Sequence, residues 1–156
     1  MDPKIGLQKK ARQEIAEELS NLLADTYALY LKTQNFHWNL ISPHFSELHV
    51  LFEKQYEELA EAVDEIAERA RSLGEFVDAT FSEFRKRTKI KDSKPQIKWK
   101  KMVQELLDGH EIICTRFRPF IHRSQDLLDD VTADLIIRRM AFHEKAAWML
   151  RSTLVS

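Results

Sequence analysis

The sequence has few of the residues that interrupt helices or cross-link chains. Only three glycines, four prolines and one cysteine occur among its 156 residues. Because turn residues are so scarce, the composition favours long helices, and we predict an all-α fold. The single cysteine, Cys114, excludes an internal disulfide framework and is typical of a reducing cytosol. We interpret Cys114 as a small buried hydrophobe rather than a reactive thiol.

A charge excess and a long apolar run are also absent. The 24 lysines and arginines nearly balance 25 aspartates and glutamates, so no global field draws the protein to nucleic acid or to a membrane. No run approaches the roughly 20 apolar residues of a membrane span, and the start of the chain lacks the apolar core of a signal peptide. We therefore expect a soluble intracellular protein. Its length suits one domain over residues 1–156, with residues 1–6 as a short mobile arm.

Apolar residues recur every three or four positions in four long stretches, which is the spacing of amphipathic helices. The predicted helices cover residues 7–36, 43–73, 94–122 and 131–153. Their end signals are N-caps at Ser42, Ser93 and Asp130, a first-turn proline at Pro43, a capping-box partner at Gln96 and a C-terminal stop at Gly74. The apolar stripes include Phe45 and Met149. Gly109 lies inside the third helix at a cost of about 1 kcal/mol, which indicates close approach of a neighbouring element.

The lengths of the connections predict how these helices pair. Short links join helix one to helix two and helix three to helix four. A connection of about twenty residues, with a short helix in VDATFSEFRK, separates the two pairs. This pattern predicts a four-helix bundle of the ferritin-like topology, with a short extra helix in the long crossover between helices two and three.

Five polar residues near one another in sequence are not required by helix packing. They are His37, His49 with Glu53, and Asp64 with Glu68. Each of the two pairs has i,i+4 spacing, so its side chains lie one turn apart on one helix face, where they could bind one metal ion. Mixed histidine and carboxylate ligands suit iron, manganese or zinc. The simpler interpretation is that such residues only border an apolar stripe.

The distance between the two pairs limits how they could act. Glu53 and Asp64 are separated by eleven residues, which on a helix is roughly 16 Å of rise and about 20° of rotation. They share a face but cannot share a metal ion. An antiparallel copy of helix two, related by a twofold axis near Leu59, would bring positions 49–53 of one chain to positions 64–68 of the other. A site completed by other helices of the same chain is the alternative.

Two long segments of the sequence resemble one family. The run NFHWNLISPHFSELHVLFEKQYEELAEAVDEIAERARSLG resembles the signature of the Dps proteins, the ferritin-like DNA-binding proteins of starved bacterial cells, and TADLIIRRMAFHEKAAWMLRS resembles their fourth helix. The similarity covers essentially the whole chain. It implies a hollow homododecamer in the bacterial cytoplasm, or associated with the nucleoid, that protects DNA from oxidative damage. Such an assembly oxidises Fe(II), preferentially with hydrogen peroxide, and stores ferric mineral.

The resemblance also implies a set of metal ligands. Carried over position by position, the ferroxidase ligands are His37, His49 and Glu53 from one subunit with Asp64 and Glu68 from its twofold mate. Iron is the expected metal, with zinc or manganese as alternatives at the same positions. Position 53 is often aspartate in the family. Glutamate adds a methylene group there, which leaves open whether Glu53 binds the metal directly or through water.

Five further residues stand out. The resemblance places Trp38 beside the site as an electron donor that limits radical escape, whereas packing alone predicts a buried core anchor. It also implies an iron-entry pore at Asp130 and Asp134, although helix capping and the helix dipole explain both residues more simply. His110 and His143 lie near apolar stripes, and we predict that they are hydrogen-bonded core histidines rather than ligands.

A basic stretch raises the question of DNA binding. The segment FRKRTKIKDSKPQIKWKK carries nine basic residues and a single acid, Asp92. Repeated around a dodecamer, weak phosphate contacts could sum by multivalency, so we hypothesise weak and strongly salt-dependent DNA binding at most. The simpler interpretation is a solvated loop whose charge offsets the acidic second helix. The alternative function is that of a nucleoid-associated or structural protein with a weak or vestigial metal site.

Overall fold

Five helices account for most of the chain. The computed structural model describes residues 2–155, and no strand occurs in that range. The helices are α1 (Lys9–Asn39), α2 (Phe45–Ser72), α3 (Phe81–Arg87), α4 (Trp99–Asp126) and α5 (Asp130–Leu154). The four long helices and the short one in the crossover confirm the predicted all-α fold class. None of the helices within residues 2–155 is long and apolar enough to cross a membrane.

The long helices pack as two pairs, α1 with α2 and α4 with α5. Because residues 40–44 and 127–129 are the only links within the pairs, each pair runs antiparallel. The core consists of large apolar side chains with almost no exposed surface: Leu19, Leu29, Phe36, Phe52, Leu59, Ile66, Val103, Ile113 and Phe117. Burying each of them contributes about 1.5–3 kcal/mol, so this core supplies most of the force that orders the helices.

The start of α2 differs from the sequence prediction. The predicted N-cap at Ser42 and first helical position at Pro43 are wrong, because the helix begins at Phe45 with His44 as its N-cap. The Ser42 hydroxyl accepts a hydrogen bond from the backbone N–H of His44 at 3.0 Å. Serine forms such local bonds readily, and here the bond closes a turn rather than capping a helix.

The start of α4 also falls later than predicted. Ser93 and Gln96 do not form a capping box, because α4 begins at Trp99 and its N-cap is the extended residue Lys98. No side-chain hydrogen bond caps this end of the helix. The capping-box pattern is short and common, so it identifies a helix start only where the chain around it can turn into the helix.

Helix α5 begins one residue earlier than predicted. The N-cap is Asp129 rather than the predicted Asp130. The Asp129 carboxylate accepts a hydrogen bond from the backbone N–H of Thr132 at 3.0 Å and pairs with Arg69 of α2 at 2.8 Å. Adjacent aspartates offer the same capping group, and the sequence does not reveal which of them the arginine contacts.

Two glycines are confirmed in their predicted roles. Gly74 follows α2 with a φ of +92°, and its N–H donates to the carbonyl of Arg71 at 2.9 Å, which ends the helix in a left-handed C-terminal turn. Gly109 on α4 is the predicted point of close approach. A Cβ atom added there would lie 2.6 Å from Cδ1 of Leu29 on α1.

A buried aspartate fastens the long crossover to the bundle. Asp25 on α1 has no exposed surface. Its carboxylate accepts hydrogen bonds from the Thr88 hydroxyl at 2.9 Å, from the Lys89 backbone N–H at 2.7 Å and from Arg116 of α4 at 2.7 Å. These bonds join the residues that follow α3 to both α1 and α4, and the predicted short helix therefore lies against α1.

The N-terminal arm is held close to α1. Arg12 donates hydrogen bonds to the backbone carbonyls of Pro3 and Leu7 at 3.1 and 3.2 Å, and it pairs with Asp2 at 3.2 Å. Met1 lies outside the described residues. The mobility of residues 1–6 stays a prediction, and these contacts are the interactions that such mobility would have to break.

Three residues assigned to the core from the sequence are more exposed than expected. Phe45 is 46% exposed and Met149 is 38% exposed, so neither belongs to the core of this chain. Cys114 is half-buried, and burial raises the pKa of its thiol, which agrees with an unreactive side chain. A helical period identifies an apolar face but does not reveal whether the chain itself covers that face.

Candidate metal centre

The candidate site begins with two histidines brought together by the first helix pair. His37 lies in the last turn of α1 and His49 in the second turn of α2, on either side of the five-residue link. Their rings stack with centroids 3.7 Å apart and planes 21° from parallel. His37 is buried and His49 is half-buried, so one edge of the pair remains open to solvent.

Each histidine is oriented by the backbone of the other. Nδ1 of His37 lies 2.9 Å from the carbonyl oxygen of His49, and Nδ1 of His49 lies 3.2 Å from the carbonyl oxygen of His37. Because a carbonyl only accepts, each Nδ1 must carry the proton, and in a neutral ring Nε2 then keeps its lone pair. Hydrogen bonding through one ring nitrogen is how proteins orient histidines that bind metals through the other. The arrangement therefore presents two Nε2 atoms as ligands.

The third predicted ligand in this region is close in sequence but does not complete a site. Glu53 lies one turn after His49 on α2 and is half-buried. Phe45 stacks on the outer face of the His49 ring at 4.9 Å and shields it. Within residues 2–155, no three His, Cys, Asp or Glu side chains converge closely enough to hold a metal ion. One chain thus offers an incomplete set of donors.

The other two predicted ligands lie further along the same helix. Asp64 and Glu68 are exposed on the C-terminal half of α2, which is continuous from Phe45 to Ser72. The unbroken helix keeps Asp64 roughly three turns and Glu68 roughly four turns from Glu53. The structure brings His37 and His49 together and leaves these two carboxylates apart from them.

Trp38 follows His37 but points away from the core. Its side chain is 66% exposed, so the core-anchor role predicted from packing alone is wrong. It lines a groove of about 870 Å³ between α1 and the crossover. Large exposed aromatic side chains that line a groove are typical of surfaces that a ligand or another subunit covers.

Sequence reasoning missed Tyr56, which meets the ring of His37 edge-on with centroids 5.2 Å apart. Burial raises the pKa of the Tyr56 phenol, and the nearby carboxylate of Glu53 raises it further. The phenol therefore stays protonated beside the histidine pair. A sequence signal was available, since Tyr56 lies seven residues, or two turns, after His49 on the same face of α2.

The two histidines predicted to lie in the core are confirmed there. His110 of α4 and His143 of α5 are fully buried, and their Nδ1 atoms are 2.8 Å apart. Arg139 approaches Nε2 of His143 at 3.4 Å and is paired with Glu58 of α2. Burial, and secondarily the charge of Arg139, lowers the pKa of His110 to about 3. Burial, followed by the effects of His110 and Arg139, lowers the pKa of His143 well below its usual value.

The tautomers of this buried pair follow from the arginine. A guanidinium only donates, so Nε2 of His143 accepts from Arg139 and its Nδ1 carries the proton. That proton is donated to Nδ1 of His110, whose Nε2 then carries the other proton. Nε2 of His110 is buried and has no hydrogen-bond partner among the described residues. The pair is consequently neutral, as core histidines must be.

The predicted pore residues are exposed at the start of α5. Asp134 pairs with Arg138 one turn later at 3.0 Å, and Arg138 also pairs with Glu65 of α2 at 2.6 Å. These two carboxylates raise the pKa of the Arg138 guanidinium further above its usual value. Asp130 is exposed in the first helical turn, one residue after the capping Asp129. The pore role of Asp130 and Asp134 stays a prediction.

The basic stretch is partly neutralised by ion pairs. The ion pairs formed by its residues lead to carboxylates on α1, α3, α4 and the crossover, namely Glu17, Glu83, Glu105 and Asp92. None of these ion pairs joins the stretch to α2, and the expectation that its charge offsets acidic helix two stays a prediction. Lys89, Lys91, Lys94 and Lys98 are exposed and form no ion pair within residues 2–155.

Comparison with known proteins identifies the class to which this bundle belongs. A family model described as a ferritin-like domain matches residues 16–156, which makes the chain a ferritin-like protein. It is 33% identical to the DNA protection during starvation protein of Porphyromonas gingivalis, over 93% of this chain and 91% of the relative. It is 38% identical to a low temperature-induced protein of Nostoc sp., over 95% of this chain and 84% of the relative.

Solved structures narrow the class to one family. The Dps protein of Vibrio cholerae superimposes with a TM-score of 0.93 at 33% identity, covering 99% of this chain and 98% of the other. That protein is described as a member of a broad superfamily of ferritin-like diiron-carboxylate proteins. Dps from Thermosynechococcus elongatus gives a TM-score of 0.90 at 29% identity, with 94% of each chain covered. The chain belongs to the Dps family.

Proposed function

We propose that this protein is a ferroxidase and iron store that oxidises Fe(II), preferentially with hydrogen peroxide, and retains the ferric product as mineral. Iron storage and protection of DNA are general functions of ferritin-like Dps proteins. The observation that carries the proposal is the histidine pair, in which each ring is oriented through Nδ1 and leaves Nε2 available. A stacked and reciprocally oriented pair, with His37 buried and His49 half-buried, is more than core packing requires.

The proposed site lies between two subunits. His37, His49 and Glu53 of one subunit would hold iron together with Asp64 and Glu68 of the partner subunit, in a homododecamer with twofold interfaces. The ion pairs on α2 are compatible with this assignment. Glu58 and Glu65 are neutralised by Arg139 and Arg138, and they are not proposed ligands.

The three proposed carboxylate ligands differ from these neighbours. Glu53, Asp64 and Glu68 form no ion pair within the described residues, although arginines lie nearby on the same bundle. An unneutralised carboxylate is suited to a cation that arrives later. Glu47, Glu57 and Glu61 of α2 also form no ion pair within the described residues, so the lack of an ion pair is compatible with metal binding at the three positions but does not single them out.

The chemistry follows from holding two ferrous ions together. Hydrogen peroxide takes one electron from each ion and, with two protons, becomes two water molecules, so no hydroxyl radical is released. The carboxylates stabilise the higher charge of Fe(III), and the neutral imidazoles complete its coordination. Zinc or manganese could occupy the same donors. Zinc has no redox chemistry and would block the reaction.

Anaerobic addition of Fe(II) followed by peroxide tests the activity. The parental protein should give rapid ferric absorbance and retain the iron after gel filtration. The variant His37→Gly/His49→Gly should oxidise iron at least tenfold more slowly while still assembling, because loss of ligands weakens metal binding. His44→Ala is a matched control, since this exposed histidine lies on the link and should not matter. Oxidation at the parental rate in the double variant would refute the site.

Mixed assembly tests whether the site is shared between subunits. Chains with His49→Ala and chains with Asp64→Ala are each expected to be inactive. In a dimer of the two, a shared arrangement leaves one of the two sites with all its ligands. Activity should therefore reappear on mixing, at about a quarter of the parental number of sites for random pairing. Absence of rescue would show that each site is built within one chain.

Weak DNA binding is a second candidate function. It is favoured by the four exposed and unpaired lysines of the basic stretch, which a dodecamer would repeat twelve times by symmetry. The binding should weaken steeply with salt, because each phosphate contact releases counterions. A gel shift at low salt with micromolar protein is the test, and absence of retardation there would remove this function.

A further inference from the structure

The rings of the three tyrosines form a line that starts at the histidine pair. Tyr56 meets His37 at 5.2 Å between centroids, Tyr30 lies 6.2 Å from Tyr56, and Tyr27 lies 5.8 Å from Tyr30. Beyond Tyr27, the ring of Phe84 on α3 follows at 5.1 Å. The sequence contains only three tyrosines, and all of them belong to this line.

The antiparallel register of α1 and α2 builds this line. Tyr30 precedes His37 by seven residues on α1, and Tyr56 follows His49 by seven residues on α2. Seven residues are two helical turns, so the pairing that stacks the histidines also places Tyr30 opposite Tyr56 two turns away. Tyr27 lies three residues before Tyr30, which is one further turn on the same face.

The far end of the line opens onto the groove beside α1. Tyr27 and Phe84 both line this groove of about 870 Å³. All three tyrosines are half-buried, and none of their hydroxyl groups forms a hydrogen bond within residues 2–155. Phenylalanine side chains would fill the same space, so packing alone does not explain why all three rings along this line carry a hydroxyl group. What phenols add to phenylalanine is that they can be oxidised by one electron.

We propose that Tyr56, Tyr30 and Tyr27 carry single oxidising equivalents from the histidine site to the groove. The inference rests on the proposed function, because iron and peroxide at that site generate the equivalent. When only one Fe(II) meets hydrogen peroxide, one electron passes and the products are Fe(III), hydroxide and a hydroxyl radical. That radical takes the phenolic hydrogen atom of Tyr56, which yields water and a tyrosyl radical.

The subsequent steps repeat the same exchange. Tyr30 gives an electron to the Tyr56 radical, and water carries the accompanying proton from one phenol to the other. Tyr27 then restores Tyr30 in the same way. At the groove, a soluble reductant of the ascorbate class returns a hydrogen atom to Tyr27. Trp38 stands outside this line, since it has no ring contact with the tyrosines among the described residues.

Spin trapping locates the radical residue by residue. The assembled protein receives less Fe(II) than it has sites, then peroxide with a nitroso spin trap, and adducts are mapped by peptide mass spectrometry. In the parental protein the adduct should concentrate on Tyr27. Tyr30→Phe should reduce the Tyr27 adduct at least tenfold and raise the Tyr56 adduct, while ferric absorbance stays at the parental rate. Phe84→Leu, beyond the end of the line, is the matched control and should leave the distribution unchanged.

A second arm needs no iron. A ruthenium photo-oxidant attached through His49→Cys, in a Cys114→Ser background, delivers one oxidising equivalent at the site by a light flash. Circular dichroism checks that the labelled bundle is folded. The light-driven adduct should again reach Tyr27 in the chain with all three tyrosines and stop at Tyr56 when Tyr30→Phe is added.

The two arms separate the possible failures. If Tyr27 keeps its parental adduct level in Tyr30→Phe under light, the relay is wrong, whatever happens with iron. If iron is not oxidised but the light-driven adduct depends on Tyr30, the relay stands and the proposed ferroxidase function fails. The Tyr27 adduct could persist in the Tyr30→Phe variant when iron and peroxide are used but disappear when light is used. That result would mean that a diffusing oxidant reaches the groove directly, and it would also overturn the relay as the route by which the radical leaves the site.

Discussion

Acid should destabilise this protein through two histidines that take no part in the proposed metal site. His110 and His143 are fully buried and share a hydrogen bond of 2.8 Å between their Nδ1 atoms. Arg139, with its partner Glu58, is the charged neighbour of the pair. A proton added to either ring would place a second positive charge beside the guanidinium in a medium that solvates charge poorly.

The direction of the effect follows from the two pKa values. In the folded protein the pKa of His110 is about 3 and that of His143 is well below its usual value, whereas in the unfolded chain each is about 6.5. The unfolded chain therefore binds more protons below pH 6.5. The pair therefore costs no stability well above pH 6.5, and its contribution lowers the free energy of unfolding progressively as the pH drops from there towards 3.

The size of the loss can be worked out for one pH. At pH 5 a histidine with an unfolded pKa of about 6.5 is almost fully protonated in the unfolded chain, which favours unfolding by about 2 kcal/mol per histidine. The pair should thus lower the free energy of unfolding by about 4 kcal/mol between pH 8 and pH 5. That is a large fraction of the 5–15 kcal/mol typical of a domain.

The double variant His110→Leu/His143→Leu isolates this contribution. Replacing both partners of a buried hydrogen bond by apolar groups is nearly neutral for stability at high pH. Urea unfolding followed by circular dichroism at pH 8 and pH 5 should show that the variant loses about 4 kcal/mol less than the parental protein. His122→Leu is the matched control, since this histidine is exposed on the same helix. Protein concentration must be equal throughout, because assembly contributes to stability.

The other ionisable groups are the same in both proteins, so their titration cancels in the comparison. A double variant that loses as much stability as the parental protein between pH 8 and pH 5 would refute the reasoning. Such a result would mean that the buried pair accepts protons in the folded state, or that water reaches it.

Two further predictions concern the crossover and the N-terminal arm. Asp25→Ala should lower the free energy of unfolding by about 3 kcal/mol in urea titrations, because it leaves the half-buried Arg116 and the backbone N–H of Lys89 without their carboxylate partner. Asp92→Ala removes an exposed ion pair and should cost less than about 0.5 kcal/mol. Equal losses in the two variants would contradict the role of Asp25 in fastening the crossover. Gly6→Ala and Gly74→Ala both force alanine to positive φ, at about 1 kcal/mol each, but only at Gly74 would the Cβ atom meet Pro3, at 2.8 Å. Gly74→Ala should therefore cost at least 1 kcal/mol more in the same assay, and equal costs would show that the arm does not pack there.

Periodicity predicted the helices because burial of an apolar face is what orders them. The same reasoning recovered the close approach at Gly109 and the core location of His110 and His143. Helix starts were less predictable. At Asp130 the right type of capping residue is present, but the choice between it and Asp129 depends on the contact of Asp129 with Arg69 of α2. At Ser42 the hydroxyl closes a turn instead, and no side chain caps the start of α2.

The candidate site was predictable in composition but not in geometry. The sequence identifies His37 and His49 as candidate ligands, but their reciprocal bonds depend on the exact register that the five-residue link imposes. The exposure of Trp38 was missed for a related reason. A tryptophan at the end of a helix packs inward or outward according to what lies beside it, and no local pattern in the sequence specifies that neighbour.

On the proposed assignment, α2 both forms the twofold interface and supplies four of the five metal ligands, and His37 of α1 supplies the fifth. The helix is continuous, so the roughly 16 Å between Glu53 and Asp64 is fixed and no movement within one chain closes it. A twofold pairing of α2 would place two identical sites at that fixed separation. Each subunit would then supply His37, His49 and Glu53 to one site and Asp64 and Glu68 to the other. Metal binding across the interface should depend most on the side-chain length at Glu53. Its extra methylene group, relative to aspartate, lengthens the reach from one subunit towards a metal that the partner subunit also holds. Glu53→Asp should then shift iron affinity without changing assembly, and equal affinity in both forms would mean that position 53 binds through water.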